Sequence, residues 1–234
     1  MTITATGLTK AAGAAAAVAG AIFIAVQIGH PSSGSFTTET TQWVVRECAK
    51  IGMAALALAG ITGMYVRQYR AAGVLGLAGY LMFAVGYLAM FSVEVIAATV
   101  LPTLVHSEPG FVNDAVAAAN GGTPAGDIGG LTILFGVMGA GLIVGGILFG
   151  VALFRTRVLT RWGAALLAVS TAGTAALAVL PESFNRPAAV PVGIALIALG
   201  VSLWRNPSDG RQTGPATFPA TVMTVSPVRQ PAVR

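Results

Sequence analysis

Apolar residues dominate this chain in blocks rather than in stripes. Six stretches, 11–29, 44–66, 71–91, 131–154, 162–180 and 188–204, run almost without a charged residue. Each has the length of a helix that crosses a bilayer core, about 17–25 residues. A span must satisfy its backbone internally, and the Ala, Leu and Gly content favours helices over barrel strands. The period-two alternation of an outer-membrane barrel strand is absent. The pattern predicts an all-α fold: a polytopic transmembrane helical bundle of six spans.

What separates the blocks is equally ordered. "RQYR" at 67–70 and "RTRVLTR" at 155–161 are short basic turns between spans two and three and between spans four and five. Between spans three and four lies a longer segment, 92–128, with no Lys or Arg. In it Val93, Ile96, Ala97, Val100 and Leu104 recur at helical spacing. A break is expected near Pro102, a second short helix at 112–119, and then the loop "NGGTPAGDIGG". These features predict a small helical outer cap on a transmembrane domain spanning 1–205. The Pro/Thr/Val-rich remainder, 206–234, has no periodicity and is expected to be a disordered cytoplasmic tail.

Charge orients the bundle. Only 9% of residues are charged, against ~25% in a soluble domain. With the N-terminus inside, ten basic residues fall on the cytoplasmic side: Lys10, Arg67, Arg70, Arg155, Arg157, Arg161, Arg205, Arg211, Arg229 and Arg234. Three, Arg46, Lys50 and Arg186, fall outside. This is a positive-inside bias, and six spans place both termini in the cytoplasm. Of the acids, only Asp209 falls inside. Trp43, Trp162 and Trp204 all lie at block ends, as an interfacial belt would place them. The net charge of +5 is therefore read as topology, with the lipid bilayer as partner and no nucleic acid. One cysteine, Cys48, excludes an intramolecular disulfide. The first block resembles a signal peptide, but no small-x-small cleavage site follows it, so a retained helix is expected.

Candidate chemistry is sparse. Glu94 lies roughly 34 Å along the third helix from Ala71, at ~1.5 Å per residue, just beyond a ~30 Å core. Arg46 reaches a similar level and Lys50 lies about one turn deeper. Arg46, Glu47, Lys50 and Glu94 can form an outward polar vestibule for an ion or small ligand. They can equally form an interfacial ion cluster in which Glu94 is hydrated or paired with Arg46, and Lys50 pairs with Glu47 or snorkels outward. No acid, base or histidine falls near the middle of a span, which argues against a proton-coupled transporter. His30, His106 and Glu108 are the candidate outer-face metal ligands, with no defining spacing. No cofactor is required by the sequence.

Gly141, Gly145, Gly146 and Gly150 in the fourth block form small-xxx-small motifs. They let helices approach closely, either within the bundle or at a homo-oligomer face. Ser170, Thr171 and Thr174 are expected to bond carbonyls one turn earlier. Tyr80 and Tyr87 are expected to pack with their hydroxyls satisfied. The hydrolase elbow, zincin and P-loop motifs are absent, so an enzyme is disfavoured.

The span layout, with stretches such as "GHPSSGSFTTETTQWVVRECAK" and "LPESFNRP", resembles uncharacterised six-span integral membrane proteins of high-GC bacteria. The resemblance covers roughly residues 8–205 and implies a bacterial cytoplasmic membrane location, with no activity attached. The expectation is a non-enzymatic membrane protein that binds through its outer cap. The alternatives are a small-solute or lipid transporter using the polar vestibule, and a membrane enzyme or metal or haem binder using the outer histidines.

Overall fold

The computed structural model describes residues 3–29, 34–178 and 185–207. His30, the end of the fifth apolar block and the tail from 208 lie outside them. Among the described residues the chain is all helical. Helix α1 is Ala5–Ala25, α2 is Thr41–Thr99, α3 is Leu101–Leu104, α4 is Pro109–Ala119, α5 is Gly130–Thr156, α6 is Arg161–Thr174 and α7 is Asn185–Arg205. Four helices are long and apolar enough to cross a membrane: α1, the α2 run, α5 and α7.

Helix α2 is two antiparallel arms. Its backbone leaves helical dihedrals at Gln68 (φ −140°, ψ 19°) and at Gly73 (φ 58°, ψ −157°). Only glycine adopts the second conformation without strain. Cross-arm contacts then run in antiparallel register. The Trp43 Nε1–H donates to Ala97 O, Lys50 meets Glu94, and the Thr62 hydroxyl meets the Tyr80 hydroxyl. Tyr65 stacks on Tyr80 with ring centroids 4.6 Å apart. The basic turn expected at 67–70 thus extends to Gly73.

The remaining packing closes a ring. The first arm of α2 lies on α1, the second arm on α5, α5 on α6, α6 on α7, and α7 returns to α1. Small residues set the approach. A Cβ added at Gly13 would lie 2.7 Å from Gly200 O, and one at Gly86 would lie 2.6 Å from Leu142 N. The four glycines singled out in α5 divide between two neighbours. Gly141 and Gly145 face Gly86 and Phe83 of α2, while Gly146 and Gly150 face Thr171 and Ala168 of α6. All four therefore sit in contacts within the chain. The ring's outer surface is apolar, with Val74, Leu81, Val85, Ile133, Val137 and Val169 exposed. A soluble monomer rarely leaves so much apolar surface uncovered.

Two helices depart from their expected limits. Helix α1 begins at Ala5 rather than near residue 11, because the Thr4 hydroxyl accepts the Gly7 N–H at 3.0 Å and caps it. Helix α6 has only 14 residues and passes into a 3₁₀ turn at Ala175–Ala178. The hydroxyls of Ser170, Thr171 and Thr174 all donate to carbonyls three or four residues back, which draws bonding away from the regular ladder. The 3₁₀ turn begins one residue after Thr174.

The basic residues gather at one end of the ring. Lys10 lies over the Trp204 ring, Arg67 donates to Asn206 O, and the Thr156 hydroxyl donates to Gln68 Oε1. At the opposite end of α2, α3, α4 and a 3₁₀ turn at Ser35–Glu39 form a small lobe. It has its own core of Trp43, Ala97, Leu101, Val112, Ala115 and Val116. Asp114 ties the following loop down, accepting N–H bonds from Ala125 (2.8 Å) and Gly126 (2.9 Å).

Candidate functional site

The interior of the ring is divided by depth. Towards the basic end it is solid: Ile61, Met64, Phe149, Leu153, Leu167, Leu199 and Leu203 are fully buried and in one cluster. Towards the lobe end Met53, Phe83, Tyr87 and Val192 continue the same buried cluster, and beside them the interior is open. A cavity of about 220 Å³ opens there, lined by Phe23 of α1, Met53, Phe83, Tyr87 and Met90 of α2, Gly139, Leu142 and Ile143 of α5, Thr171 and Thr174 of α6, and Val192 of α7. Its walls are almost entirely apolar.

One turn nearer the lobe sits a charged cluster. The Lys50 ammonium donates to both oxygens of Glu47, at 2.9 and 2.8 Å, and stands 3.5 Å from the Glu94 carboxylate of the other arm. Glu47 is 1% exposed and Glu94 7%. Lys50 is three residues from Met53, and Glu94 four from Met90, so the cluster lies about one helical turn above the cavity. Trp43 and Ala97, in the lobe core, lie one turn above the cluster on the same two arms. Two carboxylates around one ammonium carry a net charge of −1 when all three are ionised. A buried ion pair has to offset a large desolvation penalty, and Lys50 does so by serving both acids at once.

This arrangement corrects the expected pairing. Arg46 does not reach Glu94. Its guanidinium caps the end of α1, with Nη1 donating to Val26 O at 2.8 Å and Nη2 to Gly29 O at 3.0 Å. A cation there complements the free carbonyls and the negative end of the helix dipole. Its Nε is buried without a partner among the described residues. Nor is Glu94 hydrated at a boundary, since it is enclosed between the arms. Counting residues along the helix fixes depth but not direction. Position 46 is turned about 100° from position 47, so it faces α1 while Glu47 faces the second arm.

The signal that separates them was present in the sequence. On the first arm, besides Met53 and Gly60, the residues Trp43, Glu47, Ala54, Ala57, Ile61, Met64 and Gln68 are buried. They and Lys50 follow alternating steps of three and four residues, a heptad stripe. Glu47 and Lys50 fall in phase with that stripe and Arg46 does not.

The tyrosines also divide. Tyr80 is satisfied by Thr62 at 3.1 Å, as expected. Tyr87 is not. Its ring packs on Phe83, the residue is only 4% exposed and lines the cavity, and its hydroxyl makes no hydrogen bond among the described residues.

Of the candidate metal ligands, His30 lies outside the described residues, and His106 and Glu108 lie in the lobe. His106 Nε2 pairs with Glu39 Oε1 at 2.5 Å, and Glu108 is exposed ahead of α4. Among the described residues, no group of three or more His, Cys, Asp or Glu could hold a metal ion. Cys48 is exposed.

The fold defines a class: an all-helical protein whose long apolar helices suit it to a membrane. No family model, curated protein or solved structure matches this chain.

Proposed function

We propose that this is a six-span protein of the bacterial cytoplasmic membrane that holds a membrane-soluble small molecule, rather than turning one over or passing one through. The spans are α1, the two arms of α2, α5, α6 with its 3₁₀ extension, and α7. The positive-inside bias supports cytoplasmic termini and an outer lobe.

The observation that carries the binding reading is the division of the ring interior. A passage across the membrane needs a polar or adjustable path along its whole length. Here the basic half is filled with buried aliphatic and aromatic side chains, while the lobe half holds a cavity. Such an interior can keep a molecule on one side. The alternative of a solute transporter with an outer vestibule at Arg46, Glu47, Lys50 and Glu94 is weaker, because Arg46 is committed to α1 and the other three to one another. A homo-oligomer through α5 would use its lipid-facing Ile133, Val137, Val144 and Val151 rather than its buried glycines.

Native mass spectrometry of the protein in mild detergent tests the function. A stoichiometric small molecule is the expected result. A clean protein that also takes up no added lipophile would sink the proposal. Topology is tested at Cys48, the only thiol. A membrane-impermeant maleimide should label it in intact cells, and labelling only after lysis would reverse the orientation.

A further inference from the structure

Resting on that reading, we infer that the cavity takes the uncharged apolar part of a compound that presents one carbonyl-type oxygen to it, and that this oxygen accepts a hydrogen bond from Tyr87.

Three features converge. The first is the unmet donor. A phenol in apolar surroundings normally finds a partner, yet Tyr87 lines the cavity with no hydrogen bond to its hydroxyl among the described residues. The second is the rest of the lining. The Thr171 and Thr174 hydroxyls donate to carbonyls of their own helix, Leu167 O at 2.8 Å and Thr171 O at 2.6 Å. Tyr87 is thus the single free donor among the lining residues, and it faces an otherwise apolar wall with Phe23, Phe83, Met53 and Met90. Such a wall rejects a charged or multiply polar ligand, because each polar group would lose its water without replacement. A ligand that places one carbonyl oxygen in the cavity is the complement of a site with one donor.

The third feature is size. At about 220 Å³, the cavity equals roughly seven water volumes of ~30 Å³ each. It falls below the ~300–1,000 Å³ of a site that encloses a drug-sized ligand. It suits one ring or a short chain segment, with the remainder of the molecule left in the bilayer. Methionine and aromatic walls adapt to flat or slender groups through sulfur and ring contacts. Two membrane constituents present this chemistry: the ring carbonyl of an isoprenoid quinone, and the ester carbonyl of an acyl lipid.

The test uses the full chain in detergent and two probes, a short-tailed 1,4-naphthoquinone and the methyl ester of a medium-chain fatty acid. Binding is measured by calorimetry and native mass spectrometry. One-to-one binding of the quinone alone assigns the first source, and binding of the ester alone the second. Tyr87→Phe keeps the ring and removes the donor. It should weaken the bound probe about three- to tenfold, the worth of one neutral hydrogen bond, with thermal unfolding unchanged. Gly139→Leu should abolish binding, since a Cβ added at Gly139 meets no neighbour and the larger side chain can occupy the cavity. Equal affinity in wild type and Tyr87→Phe would overturn the ligand class while leaving the cavity as a binding site. No uptake of either probe, with no co-purifying molecule, would overturn the binding reading itself.

Discussion

The two halves of the ring obey different rules. In the basic half every requirement of a stable interior is met. The described side chains there, Ile61, Met64, Phe149, Leu153, Leu167, Leu199 and Leu203, are fully buried in one cluster, and the one amide, Gln68, is bonded to Met64 O and to the Thr156 hydroxyl. In the lobe half a void is left open, a phenol goes unpaired, and two buried carboxylates share a partly exposed ammonium within a turn of it. Interiors pack to crystal-like density, and voids forfeit dispersion contacts. The same helices run through both halves, so the difference does not come from the type of fold. It comes from which residues the chain places at each level. Departures from local consistency concentrate where proteins function, and here they concentrate at one end.

The contrast can be broken most forcefully at Lys50. Lys50→Met leaves Glu47 and Glu94 facing each other without a counter-charge. Removing one partner of a buried ion cluster costs about 3–5 kcal/mol. Unfolding in a mixed-micelle SDS titration should register a loss of that order. Replacing all three residues by Met, Gln and Gln should restore most of it, because no lone charge then remains buried. A single Lys50→Met variant as stable as wild type would show that the cluster does not hold the arms together.

A smaller effect sharpens the comparison with one chemistry at two depths. Leu153→Ala, in the filled half, should cost about 2 kcal/mol. That is the low end of the soluble-core range, since lipid is as apolar as the interior and only packing is lost. Leu142→Ala, on the cavity wall, should cost less than half as much, because its neighbours already border a void. Equal losses would mean that the hollow half is packed as tightly as the filled one.

The smallest effect separates the lobe from both halves. Trp43→Phe removes the hydrogen bond to Ala97 O and should cost about 1 kcal/mol. Hydrogen exchange should rise across Pro109–Ala119 and stay unchanged around Phe149 and Leu153. Faster exchange at both places would show that the lobe and the ring unfold as one unit.

Much of the architecture was legible because it depends on periodicity and punctuation. Apolar blocks mark helices, and the basic segments near Arg67 and Arg155 mark reversals. The helix through Val93, Ile96 and Ala97 was visible from spacing and breaks at Val100, near the expected Pro102, and α4 lies at Pro109–Ala119 where 112–119 was expected. What escaped was rotational. Arg46, Glu47 and Lys50 sit within one turn and a half of one another, and only helix phase tells which of them meets Glu94. The shortness of α6 escaped because its hydroxyls act on the backbone, while hydropathy registers them as mildly polar. The cavity escaped because a void is a property of several helices together. Phe23, Tyr87, Leu142 and Thr174 are distant in sequence, and each alone reads as ordinary packing.

The reversal at Gly73 also bears on how the chain reaches its membrane. An isolated charge raises the free energy of helix insertion, by about 2.5–3.5 kcal/mol at the centre on translocon scales and by less towards the end of a helix, where this cluster lies. Glu47 and Lys50 emerge from the ribosome first and Glu94 more than forty residues later, on the far arm of the same hairpin. Because the arms are joined by so short a connection, they can leave the insertion machinery side by side, with the ammonium already shared between both acids. The hairpin, rather than the single helix, is then the unit of biogenesis.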